Sequence, residues 1–289
     1  MLRYKTMKNQ IITLPRLNRA LLLLGGAALI FPALSQAVIL NANLGGTFTM
    51  NMDSAAQAAL NGGNASDPGM FLVQYYDAAS SNYVTDSDTE LYTSNDSRTP
   101  IPPVNLVHAI TPIAGENPPN QAPGRNVIST TPDFSVDSAT LAGTGTLGMT
   151  GVELYRGVFS GSLLIGDYSL QYNPAARAGI WSELGVSGDP SGWYLQNNIT
   201  FSSVVYDLSS LTLSYSDSQN WSMSGNLLLS PDSAAFLDGA ALTQLGSFCL
   251  GFGADSNCGD TAFALPLPAP ILLFASGMAL VFASIRRPK

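Results

Sequence analysis

Strict alternation of apolar and polar residues in one stretch of the chain limits its fold more than any other feature. Leu211, Leu213 and Tyr215 alternate with serine and threonine, the turn-forming residues 217–220 follow, and residues 221–224 begin a second alternating run. A period of two places the apolar side chains on one face of a β-strand. Two such runs joined by a polar turn predict a β-hairpin.

The rest of the central region, residues 38–264, has the same texture and is rich in Ser, Thr and Gly. Residues 166–172 and 198–206 predict further strands. Residues 52–60 predict a short helix, which the Asn-Gly-Gly-Asn sequence at 61–64 would end. We therefore expect one all-β domain over this region, folded as a β-sandwich or a jelly roll.

Prolines crowd the segment 98–126, which holds seven of them. Such density disfavours both helices and hydrogen-bonded strands, so it predicts a long loop or a linker. We favour a loop within one domain, because residues 38–97 are too few and too acidic to bury a core of their own.

Charge is distributed very unevenly along the chain. The central region holds all 20 acidic residues but only four of the 12 basic ones, so its formal charge is −16 against −8 for the whole chain. Those four are Arg98, Arg125, Arg156 and Arg177, and the region has no lysine. A surface of this sign repels phosphate backbones, and we therefore expect no nucleic-acid partner.

The N-terminus has the three parts of a secretory signal. Residues 1–19 are basic without an acid, residues 21–34 are almost wholly apolar, and small residues follow up to Ala37. This layout predicts a signal peptide over residues 1–37, which signal peptidase cuts between Ala37 and Val38. The alternative is an uncleaved anchor helix, for which the apolar run is short.

The C-terminus combines a proline-rich segment, an apolar run and a basic end. Residues 265–270 alternate with proline and cannot be helical. Residues 271–285 carry no charge, and as a helix they would span about 22 Å, less than the roughly 30 Å of a hydrocarbon core. With Arg286, Arg287 and Lys289 as a basic stop, this transmembrane helix would halt in the inner membrane, basic end toward the cytoplasm.

This order of motif, short helix and terminal arginines resembles the PEP-CTERM class of sorting tails, in the variant whose motif reads V-P-L-P-A. The resemblance covers the tail, residues 265–289. It implies that a membrane-embedded exosortase recognises and cleaves the tail, in a Gram-negative bacterium that makes exopolysaccharide. The residues at the motif positions are Leu265, Pro266, Leu267, Pro268 and Ala269.

The tail departs from the family pattern at two points. Leu265 replaces the valine, and no Glu stands between the prolines. Two other interpretations compete with the sorting tail. A plain membrane anchor needs no proline-rich motif, and a sortase substrate would need L-P-x-T-G, where this chain has Pro268 and Ala269.

The two cysteines, Cys249 and Cys258, bracket eight residues near the end of the central region. In an oxidising exported compartment we expect them to form a disulfide. A loop this small would contribute about 2–3 kcal/mol of stability on the chain-entropy model.

Catalytic and cofactor motifs are weak throughout. His108 is the only histidine, so HExxH zinc chemistry is impossible, and no G-x-S-x-G sequence supplies a nucleophile for a triad. We predict that His108 is a loop or packing residue. Residues 143–148 match G-x-G-x-x-G, but the sequence after them does not open a helix, which predicts a turn between strands. We expect no catalytic residue and no cofactor.

The best metal candidate is the acidic stretch 86–90, whose alternate carboxylates could converge on Ca²⁺. The rest of an EF-hand loop is missing, so we expect a solvated loop and no metal site.

Aromatic residues could also stack on sugars in an exported β-domain, but core packing is the default expectation for them. They are Trp181, Trp193, Tyr194 and Trp221.

These features together favour a non-catalytic protein of the cell surface or extracellular matrix, associated with exopolysaccharide or biofilm and sorted by an exosortase-like enzyme. It would pass through the inner membrane of a Gram-negative bacterium and then reach the surface. Two alternatives remain open. One is a secreted carbohydrate-active hydrolase that uses two of the acids, and the other is a periplasmic protein anchored in the inner membrane.

Overall fold

The computed structural model describes residues 37–76, 99–113, 125–157, 162–199 and 202–255, which are mainly β-structure. The strands are β1 Ile39–Asn41, β2 Gly46–Met52, β3 Met70–Tyr76, β4 Leu106–Ile110, β5 Ser135–Asp137, β6 Gly143–Thr144, β7 Thr146–Thr150, β8 Val152–Gly157, β9 Leu163–Gly166, β10 Ser169–Tyr172, β11 Trp193–Asn197, β12 Ser203–Tyr215, β13 Trp221–Leu229 and β14 Gln244–Phe252. The helices are α1 Ser54–Ala58, α2 Pro174–Glu183 and α3 Pro231–Ala234, with 3₁₀ turns at Leu60–Gly62 and Gly253–Asp255.

Eight strands close into an antiparallel barrel in the order β10-β11-β12-β13-β14-β2-β4-β7. Its longest hairpin is β12–β13, in which Tyr215 pairs with Trp221 across the turn. Alternate side chains of each strand point inward, and Phe48 stacks on Phe248 in the interior with ring centroids 5.2 Å apart. The predicted hairpin over 211–224 is therefore confirmed, and so is the short helix, as α1.

The predicted β class is confirmed, and the main sheet closes on itself. Closure comes from β2 and β14, which lie far apart in sequence and pair over seven residues, from Gly46 opposite Phe252 to Met52 opposite Gly246. A closed ring leaves no unpaired edge in the main sheet. Alternation predicts the strands but not which distant strands become partners, so it could not decide between a sandwich, a jelly roll and a closed barrel.

A second sheet, β3-β8-β9, leaves the barrel where β7 runs into β8 and β9 runs into β10. We call it the cap sheet. Gly151 and Gly166 stand at these two corners, both with φ of +146°. A Cβ on Gly151 would lie 2.5 Å from Nδ1 of His108, and one on Gly166 would lie 2.2 Å from the Gly151 carbonyl oxygen. Glycine is therefore required at both corners by backbone conformation and by close approach.

The inner face of the cap sheet packs onto the barrel core. Leu72, Tyr155 and Ile165 belong to the same buried cluster as Leu147 and Met149 of the barrel. The opposite face contributes to a smaller cluster of its own, built from Val73, Tyr76, Val152, Leu154, Leu164 and Ile199. A third small sheet, β1-β5-β6, completes the described strands.

The proline-rich segment 98–126 is not a loop throughout. Strand β4 lies within it and pairs with β2 on one side and β7 on the other, so it is part of the barrel wall. The expectation failed because the prolines flank this strand: Pro103 precedes it and Pro112 follows it, so all five residues of β4 have backbone N–H groups that can join the sheet.

Helix α2 is attached to the outside of the barrel by a buried ion pair. Arg177 donates from Nε to Oδ1 of Asp207 at 2.7 Å and from Nη2 to Oδ2 at 2.8 Å, and it also donates to Asp232. The Trp181 indole donates to the same Asp207 carboxylate at 3.0 Å. Bidentate pairing of this kind fixes geometry as well as charge, so α2 is held firmly against β12.

Several predicted features lie outside the described residues. They are residues 1–36 of the signal peptide, the acidic stretch 86–90, Cys258, and the whole C-terminal tail with its sorting motif and helix. Among the residues that are described, no helix is both long and apolar enough to cross a membrane.

Replacing Gly151 by alanine is expected to lower the free energy of unfolding by about 1–3 kcal/mol, because the new Cβ is strained and meets His108. Gly179→Ala is the matched control, since Gly179 lies exposed within α2 and a Cβ there meets nothing within 4 Å. It should stabilise by about 0.5–1 kcal/mol. Urea titrations of both variants test this, and a Gly151→Ala protein as stable as the wild type would show that the corner is not constrained.

Candidate functional site

His108 and Glu153 meet where the cap sheet joins the barrel. His108 lies on β4 and Glu153 on β8, and both side chains are 0% exposed. Nε2 of His108 is 3.1 Å from Oε1 of Glu153, at an angle outside the range of a well-aligned hydrogen bond. A buried carboxylate is costly unless it is paired and hydrogen-bonded, so its other neighbours decide whether it is tolerated.

Tyrosine hydroxyls supply those hydrogen bonds. Tyr155, two residues along β8 on the same face, donates to Oε2 of Glu153 at 2.6 Å, and Tyr168 donates to Oε1 at 3.2 Å. The amide of Gln57 on α1 donates in turn to the Tyr155 hydroxyl at 3.4 Å. Glu153 therefore accepts from two hydroxyls and contacts an imidazole. We call the set His108, Glu153, Tyr155, Tyr168 and Tyr206 the Glu153 cluster.

The three tyrosines of this cluster are held in their protonated form. Burial raises the pKa of Tyr155, Tyr168 and Tyr206 well above the ordinary value, and the negative charge of Glu153 raises it further. For Tyr206, contact with the other two hydroxyls acts in the opposite direction but is outweighed. The hydroxyls of Tyr155 and Tyr168 therefore stay protonated around neutral pH and can donate to the carboxylate of Glu153.

Aromatic rings and backbone enclose His108 on several sides. Tyr75 and Tyr168 meet its ring edge-on, with centroids 5.5 and 5.3 Å away, and Gly151 lies against Nδ1. A histidine next to a carboxylate is the arrangement that orients a general base in many hydrolases. Here both groups are fully buried, so a substrate in solvent cannot reach either one. The pair joins two sheets.

A second buried ion pair holds the two corners of the cap sheet. Arg125 donates from Nε to Oδ2 of Asp167 at 2.7 Å and from Nη2 to Thr150 at 2.8 Å, and Nη2 also contacts Oδ1 of Asp167. The Asp167 carboxylate also accepts from the backbone N–H of Gly151 at 3.2 Å. Asp167 follows one corner glycine directly and is bonded to the other, so this pair fixes both corners.

The three tryptophans are buried inside the protein. Trp181, Trp193 and Trp221 are all buried, and their indole N–H groups are satisfied within the protein. The default expectation of core packing is therefore confirmed for these three, and stacking on sugars is ruled out for them in this fold. Tyr194 differs, because it is half-buried on the outer face of the barrel.

Other sequence candidates have ordinary structural roles. The G-x-G-x-x-G match contains a turn between strands, as expected: Gly145, at φ of +68°, links β6 to β7. Cys249 is buried in β14 and disulfide-bonded, while its predicted partner Cys258 lies outside the described residues. Among the described residues, no three His, Cys, Asp or Glu side chains are placed to hold a metal ion.

An apolar groove of about 360 Å³ lies between α1, β3 and residues 100–103. Its lining includes Pro68, Met70, Phe71 and Ile101, and Gln57 connects it to the Glu153 cluster behind. The groove carries few polar groups, so it offers little chemistry of its own.

Sequence reasoning missed the contact between His108 and Glu153, although a signal was present. Glu153 stands between Val152 and Leu154 in an apolar strand, and a carboxylate in such a position needs a buried partner. No family model, curated protein or solved structure matches this chain.

Glu153→Gln is expected to lower the free energy of unfolding by about 1–3 kcal/mol, because the amide nitrogen is a donor where one of the two tyrosine hydroxyls needs an acceptor. The control is Glu183→Gln on the exposed end of α2, which should change it by less than about 0.5 kcal/mol. Equal effects of the two substitutions, measured by denaturant titration, would contradict the role given to the Glu153 cluster.

Proposed function

We propose that this chain is a non-catalytic exported protein of the cell surface or extracellular matrix, associated with exopolysaccharide and sorted by an exosortase-like enzyme. The observation that carries the non-catalytic part is the complete burial of His108 and Glu153. The chain's only histidine and the carboxylate beside it hold two sheets together and face no solvent-filled site.

The charge of the surface supports the same proposal. Two of the four arginines in the central region, Arg125 and Arg177, neutralise buried carboxylates, so they add little positive charge to the exterior. A strongly acidic exterior keeps an exported protein soluble and disfavours polyanions as partners. An uncharged polysaccharide is compatible with such a surface.

The destination rests on the tail, residues 265–289, and on the signal peptide at the other end of the chain. A stiff proline motif, a short apolar helix and a basic stop would hold the exported domain at the inner membrane until the tail is cleaved. An exosortase-like enzyme would then release it toward the surface.

Replacing Pro266 and Pro268 together by alanine should block this release, because the helix keeps its apolar length while the extended motif is lost. Wild-type protein is expected at the cell surface with the intact mass of a chain cut at both ends. The double variant should remain in the inner membrane with its tail. Pro270→Ala, just outside the motif, is the matched control and should behave as the wild type.

The same fractionation separates the alternatives. Wild-type protein that keeps its tail and stays in the inner membrane would indicate an anchored periplasmic protein. Release of the double variant as efficiently as the wild type would show that the motif is not the signal. Turnover of glycosides by the wild type, abolished when one close pair of acids is replaced, would indicate a hydrolase and overturn the non-catalytic role.

A further inference from the structure

The outer faces of β10 and β11 form the floor of a shallow trough on the barrel. On one side, residues 128–131 cross the outside of β7, where a Cβ on Gly148 would lie 1.8 Å from the Ile128 carbonyl oxygen. On the other side, α2 lies against β12 through the ion pair of Arg177 and Asp207. The two strands between these covers lie about 5 Å apart.

Uncharged polar side chains line this floor in a connected series. Tyr194 donates to the Gln171 amide oxygen at 3.0 Å, and Gln171 donates to the oxygen of Gln196 at 3.4 Å. Gln196 donates in turn to the hydroxyl of Ser202 at 2.6 Å. Each amide is thereby oriented in advance, and preorganised polar groups bind a ligand at a smaller entropic cost.

An arginine adds to this order without adding net charge. The Arg177 guanidinium lies 5.5 Å from the centroid of the Tyr194 ring, which is cation–π distance, and the carboxylates of Asp207 and Asp232 more than offset its charge. Tyr194 is therefore a positioned aromatic ring, half-buried, beside a row of amides.

We propose that this trough, which we call the β10–β11 trough, binds a neutral polysaccharide chain; the inference rests on the proposed association with exopolysaccharide. Amide side chains offer donors and acceptors side by side, as sugar hydroxyls require, and an aromatic ring suits the apolar face of a sugar. Gln171 and Tyr194 are directly opposite one another on β10 and β11, and Gln196 lies two residues beyond Tyr194 on the same face. Same-face residues of a strand stand about 6–7 Å apart, so a chain lying along the trough, between its two covers, meets the pair of Gln171 and Tyr194 and then Gln196.

Other occupants fit this surface less well. Both floor strands are paired on each side within the closed barrel, so an extended peptide finds no free backbone edge to join. The formal charge of −16 on the central region repels nucleic acids and anionic polymers. An uncharged, hydroxyl-rich chain remains the ligand that the trough suits.

The test uses the full chain, expressed in its native cells and purified as they process it. Beads would carry the polymer fraction of the same cells, dextran or a neutral β-glucan, with alginate as the anionic comparison. Tyr194→Ala and Gln171→Ala are each expected to weaken binding about tenfold. The affinity is measured on the neutral polymer that retains the wild type best, and the loss is of the size that truncating a central side chain of a binding site causes.

Matched controls lie elsewhere on the barrel. Tyr215→Ala removes a tyrosine that is 38% exposed at the far end of β12, and Gln244→Ala removes a half-buried glutamine from β14, four strands from β10 in the ring. Both controls should retain wild-type binding. Tyr194→Phe keeps the ring and should lose less than Tyr194→Ala, and equal unfolding midpoints would show that the variants are folded.

The outcomes separate the site from the function. Wild-type retention with equal retention of the Tyr194 and Gln171 variants would overturn the trough as the site and leave the association with polysaccharide intact. Retention on alginate in preference to every neutral polymer would overturn the ligand class. No retention of the wild type on any polymer, including that of its own cells, would overturn the proposed function itself.

Discussion

The buried carboxylate of Glu153 is the constraint on which the rest of this structure depends. A carboxylate without solvent needs hydrogen-bond donors, and they come from Tyr155 on β8 and Tyr168 just before β10, while His108 on β4 lies in contact with it. These elements must therefore meet, and Gly151 is what lets β8 turn in closely enough. The cap sheet is held to the barrel by this contact and by the pair of Arg125 and Asp167 at its corners.

Because the interior is closed, a ligand can reach this protein only at its outer surface. Residues that could carry chemistry, such as His108, are used to join sheets, and two scarce arginines are used to neutralise buried acids. The exterior that results is acidic, with a trough of oriented, uncharged side chains between α2 and residues 128–131. Such a surface supports the proposed role in polysaccharide binding, and the predicted tail would deliver the domain to the cell surface.

Local features of this fold could be predicted from the sequence, and the long-range ones could not. The β12–β13 hairpin follows from alternation and turn residues, and helix α1 from its own short segment and the Asn-Gly-Gly-Asn sequence after it, all of which act over a few residues. Barrel closure depends on β2 finding β14 about two hundred residues later, which no local pattern encodes. Strand β4 could not be predicted from the number of prolines in residues 98–126, because that number does not show that the prolines stand on either side of the strand.

The β10–β11 trough could not be predicted from the sequence either, since Gln171 and Tyr194 become neighbours only through strand register. The interior around His108 and Glu153 is closed to solvent. Because His108 is the single histidine of the chain, its accessibility to a reagent can be measured directly. Native protein treated with diethylpyrocarbonate should show no modification of His108, followed by ultraviolet absorbance and intact mass, until denaturant unfolds it. Modification of the folded protein at the rate of free imidazole would contradict the account, because the pair with Glu153 would then be open to a substrate.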